Sequence, residues 1–470
     1  MAVNHNIKYL KSLQAVREQS NKVFKQAQRG KLRHFAYDEG KVDAVVEYVY
    51  SLIDRDYGSI DKVPMHGRWR SYCIKTETGT RDLVSEHVAR WREADISEWE
   101  CARRIIDLFM VSVLVDAGAG SEWRFQDREF GESARTEGLG LAALRMFERG
   151  MFSSSPSNAF QVDAPALESF TDQALLDGFQ VSEANPLLGC ANRAQLLRNL
   201  GKALRAEPGF FGGICACNSH PARPGFMLDY LTGCAEAPRT VSVDDIWEVI
   251  VDGLAPVWPA GRTKLDGVPL GDVWQCDTLG IEPPVDESPG HPAGRRDSSG
   301  SIDGASVGKA APSQPLILGT HSLVPFHKLS QWLTWSLLEV ITRLGKFTVT
   351  GTDRLTGLPE YRNGGLFVDM GVLTLNASDR ERAPAKNNVP QFDGSDPVIV
   401  EWRAMTVILL DLVASRVRLM SGLDDSQLPP MFLSRVLEGG TWKAGREIAA
   451  SLRSDTKDPP INIISDGTLF

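Results

Sequence analysis

The chain has 470 residues, of which 42% are hydrophobic and 24% charged, and its formal net charge is −9. Its basic residues never form long runs, and an acidic chain of this kind attracts nucleic-acid polymers and anionic membranes poorly. A small anion remains compatible with it, because a pocket needs only a few well-placed cations. We therefore expect a small, nucleotide-like substrate rather than a polymer or a membrane.

The seven cysteines are an odd number and lie scattered along the chain. This pattern is typical of free thiols in a reducing compartment. The N-terminal region mixes Lys, Arg and Asn with single apolar residues and lacks the apolar core of a secretory signal. The longest apolar run, near residues 105–115, is too short to cross a bilayer. These features predict a cytoplasmic protein, with the nucleus left open as a second compartment.

Hydrophobic periodicity predicts amphipathic helices through most of the chain. In chain order they cover residues 7–16, 42–53, 82–115, 139–147, 191–204, 329–344 and 398–420. Strand patterns are few and short, at residues 347–350, 366–373 and 461–464. Residues 209–225 and 376–397 are predicted to be irregular loops. The predicted fold class is mainly α with a minor β component.

The segment 280–315 differs sharply in composition from the rest of the chain. It is rich in Pro, Gly and Ser and contains little large apolar material, so it cannot bury enough surface to order itself. We predict a flexible insertion between an N-terminal helical part, 1–279, and a C-terminal helical part, 316–470. The two parts are expected to pack together as one catalytic unit.

Seven ordered strings resemble one known family. They are Met65–Arg70, Val115–Arg124, Glu137–Phe147, Phe326–Leu333, Gly357–Gly365, Gly440–Glu447 and Pro459–Phe470. Over nearly the full chain, except the insertion, they resemble the fungal and bacterial uracil-catabolism protein 4 family. The resemblance implies a step in the pathway that opens the uracil ring and releases urea. Some relatives carry the name uracil phosphoribosyltransferase.

The order of segments also resembles the queuosine salvage proteins, which are N-glycosidases that release a base from ribose 5-phosphate. The matching stretches are Asp116–Trp123, Asn185–Leu188, Leu197–Phe211, Leu329–Gln331 and Glu401–Ala404. This likeness implies a helical fold similar to DNA glycosylases. The glycosidases carry an Asp-Tyr-Arg triplet where this chain reads Phe326-His327-Lys328. The catalytic carboxylate must therefore come from another position, or the reaction differs.

Hydrolysis of an N-ribosyl bond needs a carboxylate to stabilise an oxocarbenium-like state or to activate water. Asp116 ends an apolar run before a Gly-Ala-Gly turn, where it is either catalytic or a turn cap. Asp369 lies within the apolar run 366–373, so its carboxyl has either a raised pKa or a cationic partner. Glu401 contacts ribose hydroxyls, by resemblance, or pairs with a group on another helix. These are the three candidate catalytic residues.

The candidate substrate-binding residues are mostly cations and aromatic rings beside predicted helix starts or Gly-rich loops, together with Gln331, which the glycosidase resemblance implies, and the carboxylate of Glu360. A phosphate favours Arg or Lys near backbone N–H groups, whereas an isolated cation is more often a solvated surface group. An aromatic ring stacks on a planar substrate or fills the core, and Trp402 has the same two interpretations. The set is Arg68, Trp123, Arg124, His327, Lys328, Gln331, Trp332, Glu360, Tyr361, Arg362, Arg403 and Lys443. His66 is either an acid–base group or a loop hydrogen-bonder.

Cys215, Cys217 and His220 have the spacing of a zinc corner but lack a clear second pair of ligands. We therefore predict free thiols, no metal and no cofactor. A phosphate loop, a dinucleotide fingerprint and the acidic pair with a Thr-bearing turn used by phosphoribosyltransferases are all absent from the sequence.

The sequence leaves three functions open. The first is an N-ribosyl hydrolase cleaving a uracil-derived ureido ribose phosphate. The second is a uracil phosphoribosyltransferase, for which a doubly wound sheet is expected. The third is a noncatalytic scaffold for other uracil-pathway enzymes, for which an exposed apolar patch is expected.

Overall fold

The computed structural model describes residues 5–116, 118–120, 122–213, 220–236, 239–258, 261–280, 320–424 and 427–464. Helices dominate these ranges. In chain order they are α1 (His5–Leu10), α2 (Leu13–Gln28), α3 (Val42–Tyr57), α4 (Leu83–Glu93), α5 (Glu98–Leu114), α6 (Arg135–Glu148), α7 (Ala164–Glu168), α8 (Asp172–Gly178), α9 (Cys190–Ala206), α10 (Pro208–Phe211), α11 (Met227–Cys234), α12 (Val243–Val251), α13 (Lys328–Arg343), α14 (Tyr361–Asp369), α15 (Ala377–Arg382), α16 (Pro397–Met420), α17 (Phe432–Val436) and α18 (Trp442–Leu452).

The strands are short and lie between the helices. They are β1 (Phe35–Tyr37), β2 (Cys73–Thr76), β3 (Gly79–Asp82), β4 (Arg124–Asp127), β5 (Gly131–Ala134), β6 (Thr240–Ser242), β7 (Lys264–Leu265), β8 (Val268–Pro269), β9 (Val273–Gln275), β10 (Leu323–Pro325), β11 (Thr348–Thr350), β12 (Leu373–Leu375), β13 (Ala385–Lys386), β14 (Val389–Asp393) and β15 (Asn462–Ile464). Within the described ranges they form two-stranded pairs and one three-stranded sheet, β13-β14-β15. The prediction of a mainly α fold with a minor β component is confirmed.

Two predicted helices are each divided by a serine cap. Ser12 accepts a hydrogen bond from the Ala15 N–H and starts α2, and Ser97 accepts one from the Glu100 N–H and starts α5. A serine at this position satisfies a backbone N–H that the helix leaves unpaired. The predicted helices 7–16 and 82–115 are therefore two helices each.

The prediction of a strand over residues 366–373 is wrong. Residues 361–369 form α14, and the strand β12 begins only at Leu373. The helix is started by Glu360, whose carboxylate accepts the N–H groups of Arg362 and Asn363. A short apolar run is compatible with either a helix or a strand, so periodicity alone does not decide between them. The predicted loop 376–397 is also partly regular, since it contains α15, β13 and β14.

One continuous hydrophobic core contains residues from Leu13 to Ile461, and so draws on both sides of the predicted insertion. The helix α16 is buried along most of its length and packs against α2, α3 and α14. The helix α5, which is buried from Ile105 to Leu114, packs against α6 and α13. Most of the predicted insertion, from residue 281 onward, lies outside the described residues. Within the described ranges, no helix combines the length and apolarity needed to cross a membrane.

Candidate functional site

Asp116 is a buried carboxylate at the end of α5. It is the second residue after the helix, and its N–H donates to the Val113 carbonyl oxygen at 3.1 Å. Its Oδ2 atom lies 3.0 Å from Nη1 of Arg68, and the two side chains are 5% and 0% exposed. Burial raises the pKa of the Asp116 carboxyl, while the positive charges of Arg68 and Lys328 oppose this rise. The Asp116 carboxyl group therefore lies in an environment that disfavours its negative charge.

Lys328 is the first residue of α13, and its positive charge interacts with the negative charge of Asp116. Its ammonium makes no hydrogen bond or ion pair with any residue that the structure describes, and lies 5.9 Å from the centroid of the Trp332 ring. Burial lowers the pKa of Lys328, and the negative charges of Glu360 and Asp116 counteract this effect. An unpaired ammonium in a largely buried position is unusual, and is typical of a group that meets a ligand.

Asp272 and Arg403 fix the position of Lys328. The two oxygens of Asp272 accept from Nη1 and Nη2 of Arg403 at 2.8 and 2.7 Å, and Oδ2 also accepts the backbone N–H of Lys328 at 3.0 Å. The guanidinium carbon of Arg403 lies 4.1 Å from the centroid of the Phe326 ring. Despite burial, Arg403 holds the pKa of Asp272 well below its usual range. This pair positions the start of α13 and leaves no free charge for a substrate.

Two aromatic rings border these charges. Trp332 is 7% exposed and has the Arg68 guanidinium carbon 5.1 Å from its ring centroid. Its buried indole Nε1 has no hydrogen-bond partner among the residues that the structure describes, which is a costly state unless a ligand satisfies it. Tyr361 begins α14 directly after Glu360, and the Arg362 guanidinium carbon lies 4.9 Å from its ring. We call Asp116, Arg68, Lys328, Trp332 and Glu360 the Asp116 cluster.

His66, which lies two residues before Arg68 in the sequence, is paired with a glutamate. Nδ1 of His66 is 2.6 Å from Oε2 of Glu438, and the His66 ring contacts Trp335 and Trp442, at centroid distances of 6.2 and 5.7 Å. Glu438 belongs to a π-helical turn, Leu437–Thr441, a feature frequent at functional sites. The pair has the geometry of an acid–base group oriented by a carboxylate.

The structure does not bring Asp369 to the Asp116 cluster. This residue ends α14, roughly 12 Å along the helix from Tyr361, and its Oδ1 accepts from Nη1 of Arg453 at 2.9 Å. A cationic partner was one of the two environments expected for it. Glu401 is also occupied, because its carboxylate accepts three backbone N–H groups and the Thr278 hydroxyl; the N–H donors are Arg33, His34 and Phe35. Glu401 anchors the N-terminal loop and has no lone pair left for ribose.

Several predicted binding residues have structural partners instead. Trp123 is fully buried and donates to the Phe179 carbonyl at 2.9 Å, and Trp402 donates to the Gly364 carbonyl at 3.0 Å. The Gln331 amide bonds the Phe326 carbonyl and Thr356.

Three further predicted residues have side chains that bind partners outside the Asp116 cluster. His327 bonds the Leu10 carbonyl at 2.8 Å, and Lys443 pairs with Asp56. The Arg124 guanidinium donates to the neighbouring Trp123 carbonyl at 2.8 Å and is 42% exposed. These contacts give Gln331 and His327 a structural role in the packing around α13, and they place Lys443 in a surface ion pair.

Two cavities in the described structure are lined by neither Asp116 nor Lys328, and the smaller of them is lined by Asp272 and His327, close to the start of α13. The larger, of about 350 Å³, contains the charges of Arg81, His87, Arg145 and Glu148. These groups already pair with carboxylates or with one another, so the cavity offers a ligand little unmet charge. Among the described residues, no three His, Cys, Asp or Glu side chains are arranged to hold a metal. Cys215 and Cys217 lie outside those residues.

Sequence reasoning missed Asp272 and Arg135. Asp272 follows a glycine in a short loop, and its partner Arg403 is 131 residues away, so no local pattern marks it. Arg135 begins α6 in a left-handed backbone conformation, with φ of 53°, which the surrounding sequence does not indicate.

The ends of several helices bring together a buried carboxylate, aromatic rings and an ammonium that has no hydrogen-bond or ion-pair partner among the described residues. These features define a helical protein with an internal polar cluster. The chain belongs to the family described as "Protein of unknown function (DUF1688)", whose model matches residues 9–470. It is 39% identical over 487 residues to the "Uracil catabolism protein 4" of Lachancea kluyveri, with all of both chains covered. It is 38% identical over 466 residues to "Protein urg3" of Schizosaccharomyces pombe, with 98% of both chains covered. The resemblance to the uracil-catabolism protein 4 family is confirmed.

Proposed function

We propose that this protein is a hydrolase of uracil catabolism that cleaves the N-ribosyl bond of a uracil-derived ureido compound. The observation that carries the proposal is the buried Asp116 carboxylate, held at 3.0 Å by Arg68 and facing the unpaired Lys328 ammonium. A carboxylate whose pKa burial raises is suited to accept a proton from water or to stabilise a developing cation.

The reaction that fits these groups is attack by water on the ribosyl C1 carbon. Asp116 takes the proton of the attacking water, the C1–nitrogen bond breaks, and the leaving nitrogen receives a proton from His66. Glu438 orients the His66 ring through Nδ1, which leaves Nε2 for the leaving group. The products are a free ureido compound and a ribose that carries a hydroxyl group on C1, so water supplies the new oxygen on C1.

The aromatic rings support a substrate with a planar part. Trp332 and Tyr361 lie beside the charges of the Asp116 cluster, and the unsatisfied Trp332 Nε1 offers a hydrogen bond to a ureido oxygen. The link to uracil comes from the relative named for uracil catabolism, to which this chain is similar over its full length. The proposed fold relationship to the queuosine salvage glycosidases fits a helical protein with its polar site at helix ends.

The phosphoribosyltransferase alternative is less well supported. Enzymes of that class were expected to show a doubly wound parallel sheet. In the described part of the chain, parallel pairing is confined to β6 with β11 and β14 with β15. The scaffold alternative requires an exposed apolar patch. Among the residues that the structure describes, the exposed large apolar side chains lie mostly on separate elements, and only Leu419 and Met420 are neighbours in sequence.

The proposal is tested by incubating the full chain with uridine monophosphate and its ring-opened ureido products in ¹⁸O-labelled water. Release of a reducing sugar that carries ¹⁸O at C1 is the expected result, accompanied by a free ureido compound or urea. A transferase would instead consume uracil and phosphoribosyl pyrophosphate. Absence of sugar release from every compound would refute N-ribosyl hydrolysis.

A further inference from the structure

Three arginines converge beside the Asp116 cluster. Arg135 begins α6, Arg362 is the second residue of α14, and Arg446 lies in α18. Nη1 of Arg446 is 3.4 Å from Oε1 of Glu137, two residues after Arg135. The backbone of α18 presses on the start of α14, since a Cβ atom placed on Gly445 would lie 2.1 Å from the Arg362 carbonyl oxygen. We call Arg135, Arg362 and Arg446 the arginine site.

The positive charge of the arginine site is only partly neutralised by the described residues around it. Glu137 is the single carboxylate paired with it, through an ion pair whose side chains are 39% and 48% exposed. Arg362 donates to the Lys457 carbonyl at 3.1 Å, and Arg135 makes no hydrogen bond or ion pair with any described residue. Burial and the charges of Arg362 and Arg446 lower the pKa of Arg135. Mutual repulsion of this kind is relieved by an anion.

The backbone at Arg135 adds an independent observation. Its φ of 53° lies in the left-handed region, which costs free energy for a residue with a Cβ atom and concentrates at functional sites. The preceding N-cap, Ala134, provides no side-chain hydrogen bond to α6, a helix of 14 residues. The first N–H groups of α6 are therefore not capped by that residue and lie beside the arginines.

The arginine site is continuous with the Asp116 cluster. Nη1 of Arg68 bonds both Oδ2 of Asp116, at 3.0 Å, and the carbonyl oxygen of Thr136, at 3.4 Å. Thr136 is the residue after Arg135, and Glu137 contributes its charge to the environment of Asp116. On the other side, Glu360 of the cluster is separated from Arg362 only by Tyr361. The two groups of residues therefore adjoin each other through Arg68 and through Tyr361.

We infer that Arg135, Arg362 and Arg446 bind the phosphate of a phosphomonoester whose ribosyl carbon lies at Asp116, so that the substrate is a nucleotide rather than a nucleoside. The assignment of the ribosyl part rests on the proposed function. The phosphate assignment rests on the arginines alone. Guanidinium groups bind phosphate oxygens through pairs of charge-assisted hydrogen bonds, and three of them suit its three terminal oxygens.

The inference is tested by isothermal titration calorimetry of the full chain with ribose 5-phosphate, ribose and inorganic phosphate. We expect ribose 5-phosphate to bind measurably and ribose to bind at least ~10-fold more weakly, since each charge-assisted contact is worth about a tenfold change or more. Inorganic phosphate is expected to bind more weakly than ribose 5-phosphate, because it lacks the ribosyl contacts. Equal binding of the two phosphates would overturn the ribosyl assignment.

Arg135→Gly is the most informative variant. Glycine adopts a positive φ without steric cost, so the variant keeps the backbone conformation while it removes the Arg135 side chain with its guanidinium. We expect an unchanged thermal unfolding midpoint and a ~10-fold or greater loss of ribose 5-phosphate affinity. Arg446→Gln should give a loss in the same direction. Arg149→Gln is the matched control, because Arg149 is the exposed C-cap residue at the opposite end of α6 and its replacement should leave the affinity unchanged.

The outcomes separate this inference from the proposed function. Arginine-dependent binding of ribose 5-phosphate without hydrolysis of any N-ribosyl compound would leave the phosphate site standing and refute the hydrolase. Hydrolysis that is equally efficient for nucleoside and nucleotide, and unaffected in Arg135→Gly, would refute the phosphate site and leave the hydrolase standing.

Discussion

Replacing Lys328 by methionine should make the folded protein more stable and its proposed chemistry much slower. Burial lowers the pKa of Lys328 below its usual range, although the negative charges of Glu360 and Asp116 oppose this effect. The folded protein therefore holds this proton more weakly than the unfolded chain does. At pH 7 the charged lysine therefore costs folding free energy. Methionine keeps the apolar stem and removes the charge.

We expect Lys328→Met to raise the free energy of unfolding at pH 7 by about 1 kcal/mol or more, the usual cost of a buried polar group that lacks a hydrogen-bond partner. The gain should shrink as the pH rises toward the unfolded-state pKa of lysine, because both states then lose the proton. N-ribosyl turnover should fall ~100-fold, a typical cost of removing a group that stabilises developing charge. Urea unfolding at two pH values and the sugar-release assay measure the two effects.

Lys22→Met, at an exposed position of α2, is the control and should change neither quantity by much. If Lys328→Met instead lowered the free energy of unfolding by about 1 kcal/mol or more, the reasoning would be refuted, because the ammonium would then have hydrogen-bond or ionic partners in the folded protein. Unchanged turnover would remove Lys328 from the proposed site.

Two other predictions concern groups outside the Asp116 cluster. Asp369→Asn should lower the free energy of unfolding by about 2 kcal/mol, because it breaks a largely buried ion pair with Arg453. Turnover per folded molecule should be retained. Loss of turnover at unchanged stability would instead indicate that Asp369 is catalytic. His34→Gln should destabilise the protein at pH 7 by about 1 kcal/mol, because hydrogen bonds to Asp277 and Asp379 outweigh burial and raise the pKa of His34 to about 9. Because the pKa of His34 is higher in the folded state than in the unfolded state, its contribution to stability is complete below pH ~6.5 and disappears as the pH rises through about 9. Urea unfolding should therefore give equal free energies of unfolding for wild type and variant near pH ~10. A difference that persists at pH ~10 would contradict this assignment.

The sequence predicted the parts of the fold that depend on local pattern. Apolar stripes marked α3, α9, α13 and α16, because a helix that buries one face repeats its apolar residues at helical spacing. The same reasoning failed at 366–373, where a short run carried no period, and the capping role of Glu360 decided the outcome. The apolar pattern also does not show where a long predicted helix divides in two, because the serine that caps the second helix is recognised only when the turn before it is known.

The candidate site was predicted in part. Asp116, Arg68, Lys328 and Trp332 were all singled out, and the structure brings them together. Asp272 was not, because its significance lies in contacts with Arg403 and the Lys328 backbone that only the folded chain creates.

The partners of two other candidate carboxylates were equally hidden. Glu401 meets backbone N–H groups that are 366 to 368 residues away in sequence, and Asp369 meets Arg453, 84 residues away. Long-range pairing decides whether a buried carboxylate is structural or free for chemistry, and a single sequence does not contain that pairing.

The central claim is that Asp116 performs N-ribosyl hydrolysis, and comparison of Asp116→Asn with Asp229→Asn tests it most directly. Asp229 is likewise a buried carboxylate paired with an arginine, Arg103, at 2.7 Å, and Arg103 lies about 20 Å along α5 from Asp116. With the ribosyl compound that wild type cleaves, we predict that Asp116→Asn lowers kcat by at least ~100-fold and that Asp229→Asn retains kcat per folded molecule. Wild-type kcat in Asp116→Asn, or an equal loss in both variants, would contradict the account.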